Sequence, residues 1–162
     1  MPYLVSLEID DEVVGRVDAA SLAAMIERVL TEDAIADGSG LTLVCSDDSL
    51  LHELNLRHRD IDAPTDVLSF PTDEGEPFPE PEEQGGGPPY LGDIVLSVES
   101  VERQASKAGL TATDELAHVV LHGLLHLLGY DHEEAEEEAV MKAREEAVLG
   151  AGIHAGRGAH ED

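Results

Sequence analysis

The most informative part of the chain is residues 111–132, which read TATDELAHVVLHGLLHLLGYDH. Thr111, followed three residues later by Asp114, is typical of a helix start, because a threonine side chain can accept a hydrogen bond from the backbone of the first turn. Gly129 is typical of the residue just beyond a helix end. This stretch therefore predicts one long helix, which we expect to be the central helix of the domain, followed by a tight turn.

Three histidines of this stretch have the spacing of metal ligands. His122 and His126 are four residues apart and share one face of the predicted helix, with their Cβ atoms about 5–6 Å apart. Gly129 can adopt the left-handed conformation that ends a helix, so the chain can turn back and bring His132 toward the same point. Three neutral imidazoles suit Zn²⁺ and leave the fourth tetrahedral position open for water, as in catalytic zinc sites. We expect one zinc ion on His122, His126 and His132.

The residue after His122 distinguishes this pattern from that of zinc proteases. In the protease pattern H-E-x-x-H the glutamate is the general base, but the corresponding residue here is Gly123. A hydrolase with this site must activate water directly through the metal, or take a base from elsewhere. His118, Asp66 and Asp131 are the candidates for general base or acid. His118 could instead contact substrate, support a ligand or be an ordinary histidine at the edge of the core, and we favour the last of these.

The remaining sequence predicts helices and strands that do not alternate strictly. Alternating and β-rich runs predict strands at 3–9, 41–45, 66–70 and 93–97, and apolar spacing predicts helices at 18–31, 46–59, 98–108 and 133–149. We expect an α+β fold, in which residues 1–149 form one compact domain with a small mixed sheet of about four strands flanked by helices.

Three of these helices carry more specific expectations. Asp18 or Ser21 is expected to cap the helix at 18–31. The helix within 46–59 is expected to turn four leucines inward, namely Leu50, Leu51, Leu54 and Leu56. The acidic helix at 133–149 is expected to bury a narrow apolar side made of Ala135, Ala139, Val140, Ala143 and Ala147.

Two segments have the composition of irregular structure. Residues 73–90 hold six acids, five prolines, four glycines and no base, so we expect a flexible loop there. A loop of this length is usually functional or disordered, and we favour a disordered, solvated insertion. Residues 150–162 are expected to form a disordered tail.

Composition sets the broad class of the protein. The chain has 162 residues, of which 42% are hydrophobic, enough for one domain with a real core. Cys45 is the only cysteine, which excludes internal disulfides and multi-cysteine zinc sites, and we expect it to be a small core residue. No apolar run reaches the roughly 18 residues of a membrane span, and the first residues lack the pattern of a secretory signal. We expect a cytoplasmic protein that does not associate with membranes.

The charge is strongly negative, since nine Lys and Arg against 36 Asp and Glu give a net charge of −27. At low salt such a chain repels both itself and nucleic acid. One interpretation is an acidic protein that binds a partner; the other is adaptation to molar salt, where charge is screened within about 3 Å. We favour the second, with an acidic halophile-like surface, because the acids are spread along the whole chain.

Three blocks of the sequence together resemble the YbeY family of bacterial rRNA maturation factors. They are HGLLHLLGYDH at 122–132, LNLRHRDIDAPTDVLSF at 54–70 and LGDIVLS at 91–97, in the order in which the family has them. The resemblance implies a compact α+β domain with a small sheet and one metal, usually taken as zinc, on the three histidines named above. It also places the functional arginine of the family at Arg59.

The resemblance further implies a single-strand-specific endoribonuclease that processes the 3′ end of small-subunit rRNA and acts in late ribosome quality control. The implied partners are single-stranded rRNA, the small ribosomal subunit and other assembly factors. Arg59 suits this chemistry, because a guanidinium can clamp two phosphate oxygens on which charge builds up during RNA hydrolysis. Attack by water or by the 2′-OH of the RNA remains open, and the two routes leave different product ends.

Two other functions are compatible with these residues. A non-enzymatic ribosome-assembly factor would carry a structural zinc, although structural sites are normally closed by four protein ligands. A small metalloprotease would need another acid in place of the glutamate that is missing at Gly123.

Overall fold

Four strands and five α-helices are formed by the residues that the structure, a computed structural model, describes: 3–71, 90–130 and 134–150. In chain order these elements are β1 (Leu4–Ile9), α1 (Ala19–Glu32), β2 (Gly40–Ser46), α2 (Asp48–Arg59), β3 (Val67–Pro71), β4 (Tyr90–Ser97), α3 (Val98–Ala108), α4 (Ala112–Leu127) and α5 (Ala135–Leu149). A short 3₁₀ turn at Val14–Arg16 was not expected from the sequence. None of the described helices is long and apolar enough to cross a membrane.

The strands form one mixed sheet in the order β1-β2-β4-β3. β1 is parallel to β2, with Leu7 beside Leu43, and β2 is parallel to β4, with Leu43 beside Ile94. β3 runs antiparallel to β4, so that Ser69 also lies beside Ile94. The predicted α+β class and four-stranded mixed sheet are therefore confirmed.

Side chains alternate between the two faces of the sheet, as strand geometry requires. The larger core lies on the face where Leu43, Cys45, Ile94 and Leu96 pack with the buried residues of α1 and α4. Leu68 and Val95 project to the other face and form a smaller cluster with Leu51 of α2. Burial raises the pKa of the Cys45 thiol to about 11, and the nearby Asp10 carboxylate adds to the shift. Cys45 is thus a fully buried core residue, as expected.

The central position predicted for α4 is confirmed by its burial. Eleven of its sixteen residues are buried, and it contacts the sheet as well as α1, α3 and α5. Thr111 Oγ1 accepts a hydrogen bond from the Asp114 backbone N–H at 3.1 Å, which confirms the predicted helix start. The helix closes as predicted, with Gly129 at a φ of +102° and the Tyr130 N–H bonded to the Leu125 carbonyl at 2.9 Å.

The expectation for the buried side of α2 fails at one of its four leucines, and the expectation for α5 is wrong. In α2, Leu51 is buried and Leu50 and Leu54 pack against the smaller cluster, as expected. Leu56 is instead 48% exposed, and its neighbour Asn55 is buried. In α5 the buried residues are Met141 and Glu145. The alanine-rich side predicted to be buried there is exposed instead, at Ala135, Ala139, Val140, Ala143 and Ala147.

Of the two candidate caps of α1, Asp18 is the one observed, because it accepts a hydrogen bond from the Ser21 backbone.

The last residue of the predicted loop at 73–90 belongs to a strand instead. Tyr90 begins β4, and its hydroxyl lies 2.6 Å from Thr42 Oγ1 on the neighbouring strand. The rest of that segment, and residues 151–162 of the predicted tail, lie outside the described residues.

The net charge of −27 predicts a fold that gains stability with salt. We expect the midpoint of thermal unfolding to rise between roughly 0.1 M and 1 M KCl, because the screening length falls from about 10 Å to 3 Å. Far-UV circular dichroism measures the midpoint, and isotonic sucrose serves as the uncharged control. Equal midpoints at the two KCl concentrations would contradict the salt interpretation.

Candidate functional site

Two of the three predicted metal ligands lie together on α4. The ring centroids of His122 and His126 are 4.8 Å apart; His122 is only 5% exposed and His126 is half-buried. His132 lies outside the described residues, and the described residues contain no group of three His, Cys, Asp or Glu side chains arranged to hold a metal. Two imidazoles on one helix face suit zinc by donor type; the third ligand and the metal itself stay predictions.

His122 belongs to a buried cluster of four charged or titratable side chains. It consists of Glu115, His118 and His122 on α4 and Glu145 on α5, all at most 5% exposed. Glu145 Oε2 lies 2.8 Å from His122 Nδ1, and Glu145 Oε1 lies 3.1 Å from His118 Nε2. Glu115 Oε1 is 3.8 Å from the other ring nitrogen of His118. One carboxylate from α5 thus bridges two histidines of α4.

A cleft of about 360 Å³ brings Arg59 together with the two histidines. Its walls come from the end of α2 with Arg59, from β3 with Ser69, and from α4 with His122 and His126. Arg59 Nη2 donates a hydrogen bond to the Ser69 carbonyl at 3.3 Å. The structure therefore joins in one cleft three of the four site residues predicted from the sequence.

Arg59 differs from the other described arginines in its electrostatic partners. Within residues 3–71, 90–130 and 134–150 it makes no ion pair with a carboxylate, and its hydrogen bond goes to a carbonyl. The five other arginines of these ranges all form ion pairs, namely Arg16, Arg28, Arg57, Arg103 and Arg144. Among these residues, Arg59 is therefore the arginine whose guanidinium charge is not paired with a carboxylate.

Gly123 allows α4 to approach the sheet closely beside this cleft. A Cβ at this position would lie 3.0 Å from Ile94 Cγ2 and 3.1 Å from Val67 Cγ2. Ser69 Oγ donates a hydrogen bond to the Gly123 carbonyl at 2.8 Å, which ties the helix to β3. The contact leaves no room for the glutamate of a zinc protease, so this geometry speaks against peptide hydrolysis by that mechanism.

The three candidates for general base have different locations. His118 is fully buried in the cluster with Glu145, and Asp66 precedes β3, where Thr65 Oγ1 lies 3.3 Å from its carboxylate. Neither is among the described residues that line the cleft, and Asp131 lies outside the described residues. For His118, the structure favours support of a ligand over contact with substrate.

The turn after α4 is tied to two other helices. The Tyr130 hydroxyl donates a hydrogen bond to Asp33 Oδ2 at 2.9 Å, and Arg144 Nε donates to Asp33 Oδ1 at 3.1 Å. Asp33 caps the C-terminus of α1, and Arg144 belongs to α5. This bridge fixes the point at which the chain leaves α4.

Glu145 is the site residue that the sequence analysis missed. A helical signal for it exists, because Met141, Glu145 and Val148 recur at intervals of four and three residues. The signal was hidden by the other acids of α5, among which a buried glutamate has no distinguishing feature. What distinguishes Glu145 is its contact with His122 of α4. That contact is visible only in the three-dimensional structure.

Comparison with known proteins identifies the family. The model of the endoribonuclease YbeY family matches residues 8–151, which is nearly the whole chain. The chain belongs to the endoribonuclease YbeY family. Curated relatives of the same name are 42% identical over 149 residues in Roseiflexus castenholzii and 41% identical over 155 residues in Pelotomaculum thermopropionicum. The first alignment covers 91% of this chain and 92% of the relative, the second 93% and 96%.

A solved structure agrees with this YbeY assignment at the level of the fold. The solution structure of a Thermotoga maritima protein superposes with a TM-score of 0.58 at 26% sequence identity. The match covers 91% of this chain and 90% of the other. The resemblance to the YbeY family that was read from three sequence blocks is thus confirmed.

Replacing Gly123 with Ala tests the close approach of α4 in this YbeY-family chain. We expect the free energy of unfolding to fall by up to about 2 kcal/mol, because overpacking costs about 1–3 kcal/mol and the helix preference of alanine returns about 1 kcal/mol. Urea denaturation measures the change. Gly15→Ala is the matched control, since a Cβ there meets nothing within 4 Å. Equal effects of the two substitutions would show that the contact at Gly123 is not tight.

Replacing Tyr130 with Phe tests the bridge after α4. Burial raises the pKa of the Tyr130 phenol, and its hydrogen bond to Asp33 raises it further. The folded state thus holds this proton more tightly than the unfolded state, so the stabilisation is present below pH 10 and lost as the pH rises through the folded pKa. At pH 8 we expect Tyr130→Phe to lose about 1 kcal/mol.

Urea denaturation of both proteins at pH 8 and at pH 11 checks this prediction. The difference between wild type and Tyr130→Phe should shrink at the higher pH, because the ionised phenol can no longer donate to Asp33. A difference of equal size at both pH values would contradict the role assigned to the Tyr130 hydroxyl.

Proposed function

We propose that this protein is a zinc-dependent, single-strand-specific endoribonuclease that matures the 3′ end of small-subunit rRNA and acts in late ribosome quality control. It works in the cytoplasm with the small ribosomal subunit and other assembly factors. The family match and the relatives named endoribonuclease YbeY support the nuclease activity. The observation that carries the proposal is the cleft that Arg59, His122 and His126 line together.

The metal would be held by His122, His126 and His132. Zinc bound there would polarise a phosphate oxygen and lower the pKa of a bound water toward about 7. Imidazole donors fit this ion, and the bridge from Tyr130 to Asp33 and Arg144 supports the proposal by anchoring the chain two residues before His132.

Arg59 binds the phosphate and stabilises the negative charge that develops on it. Its guanidinium is exposed at the end of α2 and, within the part of the chain that the structure describes, pairs with a carbonyl rather than a carboxylate. A bound phosphate would therefore break no ion pair with these residues. A positioned donor of this kind typically contributes about 2.7–4 kcal/mol to transition-state stabilisation. The cleft volume of about 360 Å³ lies in the range of pockets that bind small ligands, which suits one unpaired nucleotide and its phosphate.

The negative charge of the chain determines the conditions under which RNA can bind. In molar salt, repulsion from acids outside the cleft is screened within about 3 Å, while the short contacts of Arg59 within the cleft persist. The nucleophile is either water or the 2′-OH of the RNA. Water leaves a 5′-phosphate and the 2′-OH leaves a 2′,3′-cyclic phosphate, so mapping the product ends separates the two routes.

Cleavage of a single-stranded fragment from the 3′ end of small-subunit rRNA, in molar KCl, tests this proposal. We expect the zinc-loaded wild type to cut the fragment and a chelated sample to leave it intact. His126→Ala should abolish cutting with loss of zinc, whereas Arg59→Ala should reduce cutting about 10²–10³-fold with zinc retained. Zinc content is measured on every sample by atomic emission.

Two matched variants control for general effects of the substitutions. Arg57→Ala removes an exposed arginine of the same helix turn that pairs with Glu53, and His52→Ala removes an exposed histidine that pairs with Asp62. Both should cut as the wild type does. Absence of cutting by a protein that holds one zinc would overturn the nuclease and leave a non-enzymatic assembly factor, to be tested by pull-down of ribosomal subunits.

A further inference from the structure

The buried carboxylate of Glu145 has a physical cost that its surroundings must offset. The side chain is 2% exposed and is contributed by a helix whose other acids are mostly at the surface. Burying an ionised carboxylate costs several kcal/mol unless it is paired and hydrogen-bonded. Its two oxygens meet two different imidazoles, His122 Nδ1 at 2.8 Å and His118 Nε2 at 3.1 Å. Both oxygens are therefore engaged, and with different residues of α4.

This geometry assigns the protons on the two rings. An ionised Glu145 only accepts hydrogen bonds, so it requires the proton of His122 on Nδ1 and a proton of His118 on Nε2. A neutral His122 with the proton on Nδ1 has its lone pair on Nε2, which makes Nε2 the nitrogen that can bind a metal. The acceptor on α5 thereby determines which atom of His122 is presented to the cleft.

We propose that Glu145 is a positioning residue of the metal centre, which fixes the tautomer and the ring orientation of His122 so that Nε2 binds the metal. His118 acts through Glu145 by holding its second oxygen, which prevents the carboxylate from rotating away from His122. Glu115 Oε1 lies near the other ring nitrogen, 3.8 Å from His118 Nδ1, which is beyond hydrogen-bond distance. This inference rests on the proposed function, since it concerns the zinc expected on His122, His126 and His132.

The same contact makes His122 a better ligand. A metal on Nε2 withdraws electrons from the ring and makes the Nδ1–H a stronger donor, so the hydrogen bond to Glu145 strengthens when the metal binds. Such support of metal-binding histidines typically accounts for a 10–100-fold gain in metal affinity. The gain is a property of binding and can be measured without RNA.

The experiment measures zinc affinity of the full chain in molar KCl by competition with a chromophoric chelator, using zinc alone as the probe. Glu145→Gln is expected to bind zinc 10–100-fold more weakly than the wild type. Glu136→Gln, the same change at an exposed position of α5, should bind as the wild type does. His118→Met, which removes the donor to the second oxygen, should weaken zinc binding several-fold, and His118→Gln, which keeps a donor, should restore most of it.

A second readout follows the tautomer of His122 in the metal-free protein. Two-bond ¹H–¹⁵N spectra of the imidazoles should show the proton on Nδ1 of His122 in the wild type and a shift toward Nε2 in Glu145→Gln. A merely structural glutamate would change stability and leave both the tautomer and the zinc affinity of the folded variants unchanged. Should Glu145→Gln fail to fold by circular dichroism, the His118 pair decides the question with Glu145 intact.

The outcomes separate this inference from the proposed function. Zinc affinity of Glu145→Gln equal to that of the wild type, with equal affinity in His118→Met, would overturn the inference and leave the zinc nuclease standing. A spectrum of the wild type that shows the proton of His122 on Nε2 would also overturn the inference. A wild type that binds no zinc would overturn the metal of the proposed function and this inference with it.

Discussion

The close packing of α4 against the sheet at Gly123 is the constraint on which the arrangement of the site depends. Because no side chain separates the helix backbone from Ile94 and Val67, α4 lies near enough to β3 for Ser69 to bond its carbonyl. The carbonyl of the same serine receives Arg59 from α2. Ser69 of β3 thus contacts both Arg59 and the backbone of α4, and in this way links the arginine to the helix that carries the histidines. A larger residue at position 123 would widen the cleft as well as loosen the core.

Much of the fold could be predicted from the sequence because its signals are local. Thr111, Asp114 and Gly129 set the limits of α4 through hydrogen bonds within a few residues, and Asp18 does the same for α1. The paired histidines of α4 follow from helix geometry alone. Their union with Arg59 could be expected only through the family resemblance, since the two segments are more than sixty positions apart in the chain.

What could not be predicted depends on the contacts of buried polar side chains. In α2, Asn55 is buried and Leu56 is exposed, and the Asn55 side-chain amide donates a hydrogen bond to the Ala63 carbonyl in the loop after the helix. Hydrophobicity alone favours the alanine-rich side of α5 for burial. In the structure the buried side instead carries Met141 and Glu145, and the Glu145 carboxylate contacts His118 and His122 of α4. The helical spacing of Met141, Glu145 and Val148 is compatible with a buried Glu145, but the sequence near Glu145 does not identify its partners on α4.

The order of these residues along the chain has a consequence for the protein's synthesis. A ribosome makes His118 and His122 before it makes Glu145, which lies 23 positions after His122. While α4 is emerging, the ring of His122 has no carboxylate from α5 to hold it. The site therefore reaches its described geometry only after α5 has been translated and has docked. A protein proposed to cut ribosomal RNA would in this way lack its assembled centre while α4 is still leaving the ribosome that makes it.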